Sequence, residues 1–182
     1  SIKTSHILTS AVSKITELNA FPKLTTVEDL LITHNDILKS ITGFSLLTTV
    51  QNGLVINQND FLLSVSGLEN VETVGVFQFK NNDSITNLDG FQDLAEVLGD
   101  FEITDNANLN LVTGFSNLTS VGGELQLNAN PTLDSATFAS LESTGSLSLS
   151  ENLFTSLSSS FTNLASVNTL IINQEQIENL DD

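Results

Sequence analysis

Leu54-Val55-Ile56-Asn57-Gln58-Asn59 decides how the chain folds, because it keeps coming back. The same hexad stands at Leu30 to Asn35, Phe77 to Asn82, Phe101 to Asn106, Leu125 to Asn130 and Leu147 to Asn152, with first residues 22 to 24 positions apart. Each copy is apolar at its first and third positions and ends in Asn. A seventh, Leu170-Ile171-Ile172-Asn173-Gln174-Glu175, keeps the apolar pair but carries Glu where the Asn should be. A fixed period of this length marks a solenoid, in which each repeat buries its apolar side only by stacking on its neighbours. The alternation within the hexad is that of a β-strand with one face inward.

The rest of each repeat has its own register. Phe21-x-x-Leu24-x-x-Val27 recurs as Phe44/Leu47/Val50, Leu68/Val71/Val74, Phe91/Leu94/Val97, Phe115/Leu118/Val121, Phe138/Leu141/Thr144 and Phe161/Leu164/Val167. Stacking would set the Phe rings in one internal column. Gly43, Gly67, Gly90 and Gly114 stand directly before that column, at a bend that needs positive φ or close packing. Between Asn and Phe lies a further apolar pair, as in Leu38 and Ile41 or Leu109 and Val112; in the next-to-last unit Leu153, Phe154 and Leu157 serve instead. The near-three spacing of these legs suits extended or 3₁₀-like backbone rather than long α-helices. Residues 1–20 do not match the hexad and are read as an N-terminal cap, in part helical, on repeats spanning 21–182.

The recurrent Asn has a physical reason. At a corner of the coil, backbone N–H and C=O groups cannot all pair with one another. An amide side chain donates and accepts, so stacked amides satisfy the corners above and below. Asn35, Asn59, Asn82, Asn106, Asn130 and Asn152 are therefore expected to form a buried ladder. The expected fold is mainly β: a single LRR-like, right-handed β-solenoid domain over residues 1–182, with about seven coils of 22 to 24 residues and Asn and Phe ladders. At strand spacing, seven coils make a stack about 30 Å long.

Composition narrows the partners. The 22 acidic residues face 5 lysines and no arginine, for a net charge of −17. All five lysines fall in the first 80 residues, and the 15 carboxylates from residue 81 onward have no cationic residue among them. Nucleic acid and anionic lipid need Lys and Arg to neutralise phosphate, so neither is an expected partner. No apolar run is long enough to span a bilayer, so membrane insertion is not expected. The chain has no Cys, which removes disulfides, thiolate metal sites and thiol nucleophiles. It starts with neither Met nor a signal peptide, and the expectation is a segment of a larger protein.

Val27-x-x-Leu30-x-Ile32-x-x-Asn35 and Val74-x-x-Phe77-x-Phe79-x-x-Asn82 resemble the leucine-rich-repeat signature L-x-x-L-x-L-x-x-N. The continuation N-x-x-L-x-x-L-x-G-[FL]-x-x-L-x-x-V more closely resembles the receptor L-domain, the LRR-like β-helix of receptor ectodomains. The resemblance covers about residues 21–180. Cysteine-free tandem versions are typical of bacterial surface and secreted proteins, so it implies an extracellular or cell-surface recognition role. It specifies architecture and leaves the ligand open.

A catalytic constellation is not found. The two histidines, His6 and His34, have no His or Cys partner at metal-ligand spacing. Gly114-Phe115-Ser116 begins like a nucleophile elbow, but the closing Gly is missing. No Asp/Asn run fits the EF-hand spacing. The chain is therefore expected not to be an enzyme.

What remains is surface. Strand positions two and four point outward in two rows: Leu31, Val55, Gln78, Glu102, Gln126, Ser148, Ile171, and Thr33, Asn57, Lys80, Thr104, Asn128, Ser150, Asn173. Gln78, Lys80, Glu102, Thr104, Gln126 and Asn128 are the ligand-binding candidates, with side chains suited to sugar hydroxyls or a polar protein surface. Any exposed sheet face would also be polar, so a merely solvated face is the competing reading. Asp100, Glu102, Asp105 and Glu124 offer the oxygen ligands that Ca²⁺ prefers, against the alternative of an unliganded acidic patch. No other cofactor is implied. Asn82-Asp83-Ser84 and Asn117-Leu118-Thr119 match the N-glycosylation tripeptide, but a ladder Asn82 would be buried, leaving Asn117 as the plausible acceptor. The expected function is extracellular recognition or adhesion, binding protein or glycan through the solenoid surface. The alternative is a structural spacer or filament subunit that self-associates end to end.

Overall fold

The computed structural model of the chain describes residues 6–10, 14–174 and 177. Among these, every regular element is a β-strand, and every strand pairing is parallel. Parallel neighbours cannot be joined by a tight hairpin. Here the connection is one full coil, so strands one repeat apart lie side by side.

The hexads line up in a ten-stranded sheet that runs from His6–Ser10 through Asp29–Thr33, Thr49–Asn57, Thr73–Lys80, Phe101–Thr104, Ser120–Asn128 and Ser143–Ser150 to Ser166–Asn173. The register pairs like with like: Leu54 faces Leu30 and Phe77, and Ile103 faces Phe79 and Leu127. Shifting it by one residue would turn every apolar side chain outward, so burial enforces it. Two small three-stranded sheets stack the intervening apolar pairs, one through Glu17–Leu18, Ser40–Ile41 and Ser64–Val65, the other through Asn87–Leu88, Leu111–Val112 and Ser135–Ala136. The molecule is a β-solenoid of about seven turns.

The coils turn tightly in two places. After Asn35, Asn59, Asn106 and Asn130 the residue three further on donates its N–H back to the Asn carbonyl, as in Leu62 to Asn59 at 2.9 Å. The residue three after the Phe does the same, as in Leu47 to Phe44 at 2.8 Å. These single turns are the 3₁₀-like legs that the spacing predicts.

The core is one continuous column of apolar side chains. Phe91 stacks on Phe115 with centroids 5.4 Å apart, Phe115 on Phe138 at 5.8 Å and Phe138 on Phe161 at 5.5 Å. Phe77 and Phe101 come from the strand side and meet the column edge-on, with Phe101 and Phe115 rings 4.9 Å apart and nearly perpendicular. Edge-to-face packing sets the positive rim of one ring on the negative face of the next.

The glycines before the Phe column serve close packing rather than positive φ. Among the described residues no glycine has positive φ, and a Cβ on Gly90 would run into the carbonyl oxygen of Val65 one coil earlier. The left-handed conformation falls on the fifth hexad position instead. His34, Gln58, Asn81, Asp105, Ala129 and Glu151 all have φ between 52° and 59°. The corner before each Asn is thus bent by residues with a Cβ, a conformation that costs about 1–2 kcal/mol per residue.

Three expectations need correction. The cap is not helical where it is described: His6–Ser10 is a strand in register with Asp29–Thr33, setting Ile7 beside Leu30 and Thr9 beside Ile32. Leu153 is 43% exposed, and the inward position in that coil belongs to Phe154. In the seventh coil Leu170 holds an inward register position but is 55% exposed, as among the described residues no further strand stacks on it. Glu175, the residue at the Asn register there, lies outside the described residues.

Candidate functional site

The Asn ladder orders the backbone beneath the outward face. Asn59 Oδ1 accepts the Asn35 N–H at 3.2 Å, Asn82 Oδ1 that of Asn59 at 3.1 Å, and Asn106 Oδ1 that of Asn82 at 3.0 Å. Asn130 and Asn152 continue it, accepting from Asn106 at 3.1 Å and Asn130 at 3.3 Å. The amide nitrogens bind carbonyls on both sides of the corner, as Asn106 Nδ2 does with Phe79 O at 3.2 Å and Thr104 O at 2.9 Å. All six side chains are buried. The ladder has one more rung than the Asn pattern shows, because Gln174 Oε1 accepts the Asn152 N–H at 3.1 Å. Gln174 stands one position early, and its extra methylene makes up the distance.

On this frame the six candidate residues form a lattice of two rows by three coils. Glu102 lies between Gln78 and Gln126, and Thr104 between Lys80 and Asn128, in strict register. Neighbouring strands lie about 4.8 Å apart, so all six sit within one small ligand footprint. The Lys80 ammonium pairs with Glu102 Oε2, which also accepts the Gln78 amide at 3.3 Å. Thr104 is only 6% exposed because longer side chains flank it in its row, and Ser148 is equally buried. Asn128 Nδ2 donates to Ser148 Oγ at 3.2 Å, whereas Asn128 Oδ1 is buried without a partner. A buried acceptor with no donor is destabilising.

The character of the face changes along the stack. Leu31 and Val55 make it apolar in the first coils, the lattice makes it polar in the middle, and Ser148 and Ser150 make it shallow beyond.

The structure does not bring Asp100, Glu102, Asp105 and Glu124 together as an ion site. Asp100 and Asp105 flank opposite ends of the strand Phe101–Thr104, five residues apart, which is roughly 16 Å of extended chain. Asp100 Oδ1 accepts the backbone N–H of Glu124 at 2.9 Å, and a Cβ on Gly123 would collide with that oxygen. Asp29 does the same near the start of the stack, accepting the Gly53 N–H at 3.1 Å. These aspartates cap an irregular stretch of strand, where the register shifts between Val50 and Gly53 and between Val121 and Glu124. Glu102 is engaged by Lys80 and Gln78. Among the described residues no group of three or more His, Asp or Glu side chains is placed to hold a metal ion.

A shallow groove runs along the turn side of the middle coils, lined among others by Glu72, Asp93, Glu96, Asn117 and Thr119. Sequence patterning does not find it, because its lining comes from four successive coils at positions that follow no common residue type. The chain matches no family model, no curated protein and no solved structure.

Proposed function

We propose that the chain is a non-catalytic recognition or adhesion module, acting outside the cell or at its surface, that binds a protein or glycan ligand through the outward face of the long sheet. The observation that carries this reading is the lattice of Gln78, Lys80, Glu102, Thr104, Gln126 and Asn128, six polar side chains held in strict register across three neighbouring strands. A parallel sheet holds such groups at fixed spacing, so a ligand meets pre-ordered polar partners and little ordering entropy opposes binding. The resemblance of the repeats to receptor L-domains points the same way. The net charge of −17 favours ligands that carry cationic or neutral hydrogen-bonding groups over nucleic acid.

Glycan arrays and pull-downs from extracellular material test the reading directly. The expected result is a ligand whose binding falls at least tenfold in Gln126→Ala/Asn128→Ala while the melting temperature stays close to that of the parent. Absence of any ligand at every salt and calcium level sinks it.

A second reading has one observation of its own. Leu170, at an inward register position on the last described strand, is 55% exposed, as the end of a stack onto which another coil fits. A spacer or filament subunit that associates end to end would use that surface. Light scattering against concentration separates the two: a recognition module stays at constant mass, and a filament subunit grows.

A further inference from the structure

We infer that Asn117 is an N-glycan attachment site whose first sugar lies in the groove beside it. The inference rests on the extracellular reading above. Two tripeptides among the described residues fit the acceptor pattern, Asn82-Asp83-Ser84 and Asn117-Leu118-Thr119, and the fold treats them in opposite ways. Asn82 is fully buried, and its Nδ2 donates to Ile56 O at 3.0 Å and Lys80 O at 2.9 Å. A sugar on that nitrogen would remove a ladder rung and has no space to occupy. Asn117 is exposed, on the turn closed by the Leu118 N–H to Phe115 O bond of 3.2 Å.

Comparison along the stack sharpens the contrast. Asn70 and Asn163 occupy the same place in their coils, two residues after the Phe-column position. Each donates its Nδ2 to a carbonyl of the preceding coil at 2.7 Å, Asn70 to Ser45 and Asn163 to Ala139. Neither is followed by Ser or Thr two positions on. Asn117 alone of the three carries the tripeptide, and among the described residues its amide makes no hydrogen bond. The fold therefore uses this nitrogen at the two positions without a tripeptide and leaves it free at the one that has it.

Space is provided too. Asn117 lines the groove formed with Glu72, Asp93, Glu96 and Thr119, whose carboxylates and hydroxyls are partners for sugar hydroxyls. Attachment joins Asn117 Nδ2 to C1 of a saccharide carried on a lipid pyrophosphate. The C1–O bond to the pyrophosphate breaks, the lipid pyrophosphate departs with the bonding electrons, and the Nδ2 proton is taken up by base. A transferase supplies the catalysis, and this chain supplies the acceptor.

The test uses the protein isolated from the cells that make it, fractionated into intracellular and extracellular or surface material. Intact mass should exceed that of the polypeptide by one glycan, which a peptide amidase removes while converting the Asn117 side chain to aspartate. Asn117→Gln and Thr119→Ala should each lose the added mass and keep the parent's circular-dichroism spectrum. Protein found outside the cell with an unmodified Asn117 overturns this inference and leaves the extracellular reading standing. Protein found only inside the cell overturns both. Glycan mapped to Asn82 in folded protein also overturns it.

Discussion

Asn106 Oδ1 accepts the backbone N–H of Asn82 from the neighbouring coil at 3.0 Å. The same side chain donates to Phe79 O and Thr104 O, so one amide binds three backbone groups at the corner. Asn106→Ala should therefore cost about 3–5 kcal/mol, since each buried group left without a partner costs about 1–3 kcal/mol. Gln126→Ala, on the outward face of the adjacent coil, should stay within about 0.5 kcal/mol. Denaturant melts of the two variants compare them directly, and equal midpoints would show that the ladder does not carry stability.

Two glycines should respond to the same substitution with opposite signs. A Cβ on Gly90 would overlap the Val65 carbonyl oxygen, an atom held by the backbone of the preceding coil. Gly90→Ala must separate two coils and should cost about 3 kcal/mol. At Gly53 the nearest atom to an added Cβ is Asp29 Oδ1 at 3.5 Å, an ordinary contact. Gly53→Ala should be neutral or stabilise by about 0.5 kcal/mol, through the lower entropy of the unfolded chain. Thermal melts decide it, and a destabilised Gly53→Ala would show that the strand needs more freedom there.

The strand hexads, the Asn ladder and the Phe column were all legible because each repeats a residue type at one register. What escaped was whatever the fold performs with a different residue. The first strand, His6–Ser10, has Thr9 where later copies have Ile, Leu or Phe, so its alternation fades although its backbone pairs like the rest. Gln174 completes the ladder from the fifth position, which a search for Asn at the sixth must miss. Side-chain engagement is equally invisible in the sequence: Asp100 and Asp105 bracket an extended strand, and Asp100 is taken up by the Glu124 N–H. The lattice residues could be placed from alternation alone, but the burial of Thr104 and the unmet acceptor of Asn128 depend on the lengths of neighbouring side chains.

The corner residues give a route to a more stable protein. Ala129 has φ of 54°, and its methyl group makes that conformation unfavourable. Ala129→Gly removes the steric cost of about 1–2 kcal/mol and adds about 0.5–1 kcal/mol of backbone entropy to the unfolded chain. The net expectation is a gain of about 0.5–1 kcal/mol, read as a higher denaturant midpoint with unchanged slope. Ala129→Val should move the other way, because a β-branched residue tolerates positive φ least. If both variants lose stability, the corner is held by something other than its dihedral angle.

The last expectation concerns the 15 carboxylates that follow Lys80 without a cationic residue among them. Neighbouring coils lie about 4.8 Å apart, well inside the Debye length of about 8 Å at physiological salt, so these charges repel through the folded state. Unfolding spreads them, and screening should raise the melting temperature steadily as salt is added. Asp100 is bound to the Glu124 N–H, Glu102 is paired with Lys80, and among the described residues no three carboxylates converge. Calcium and sodium at matched ionic strength should then stabilise alike. A preformed ion site would instead add stabilisation with calcium by mass action, at concentrations where matched sodium does nothing. Melting curves in the two salts separate these outcomes, with Glu102→Gln/Glu124→Gln as the control. A calcium-selective rise that the double substitution abolishes would show that the acidic residues rearrange into a cation site.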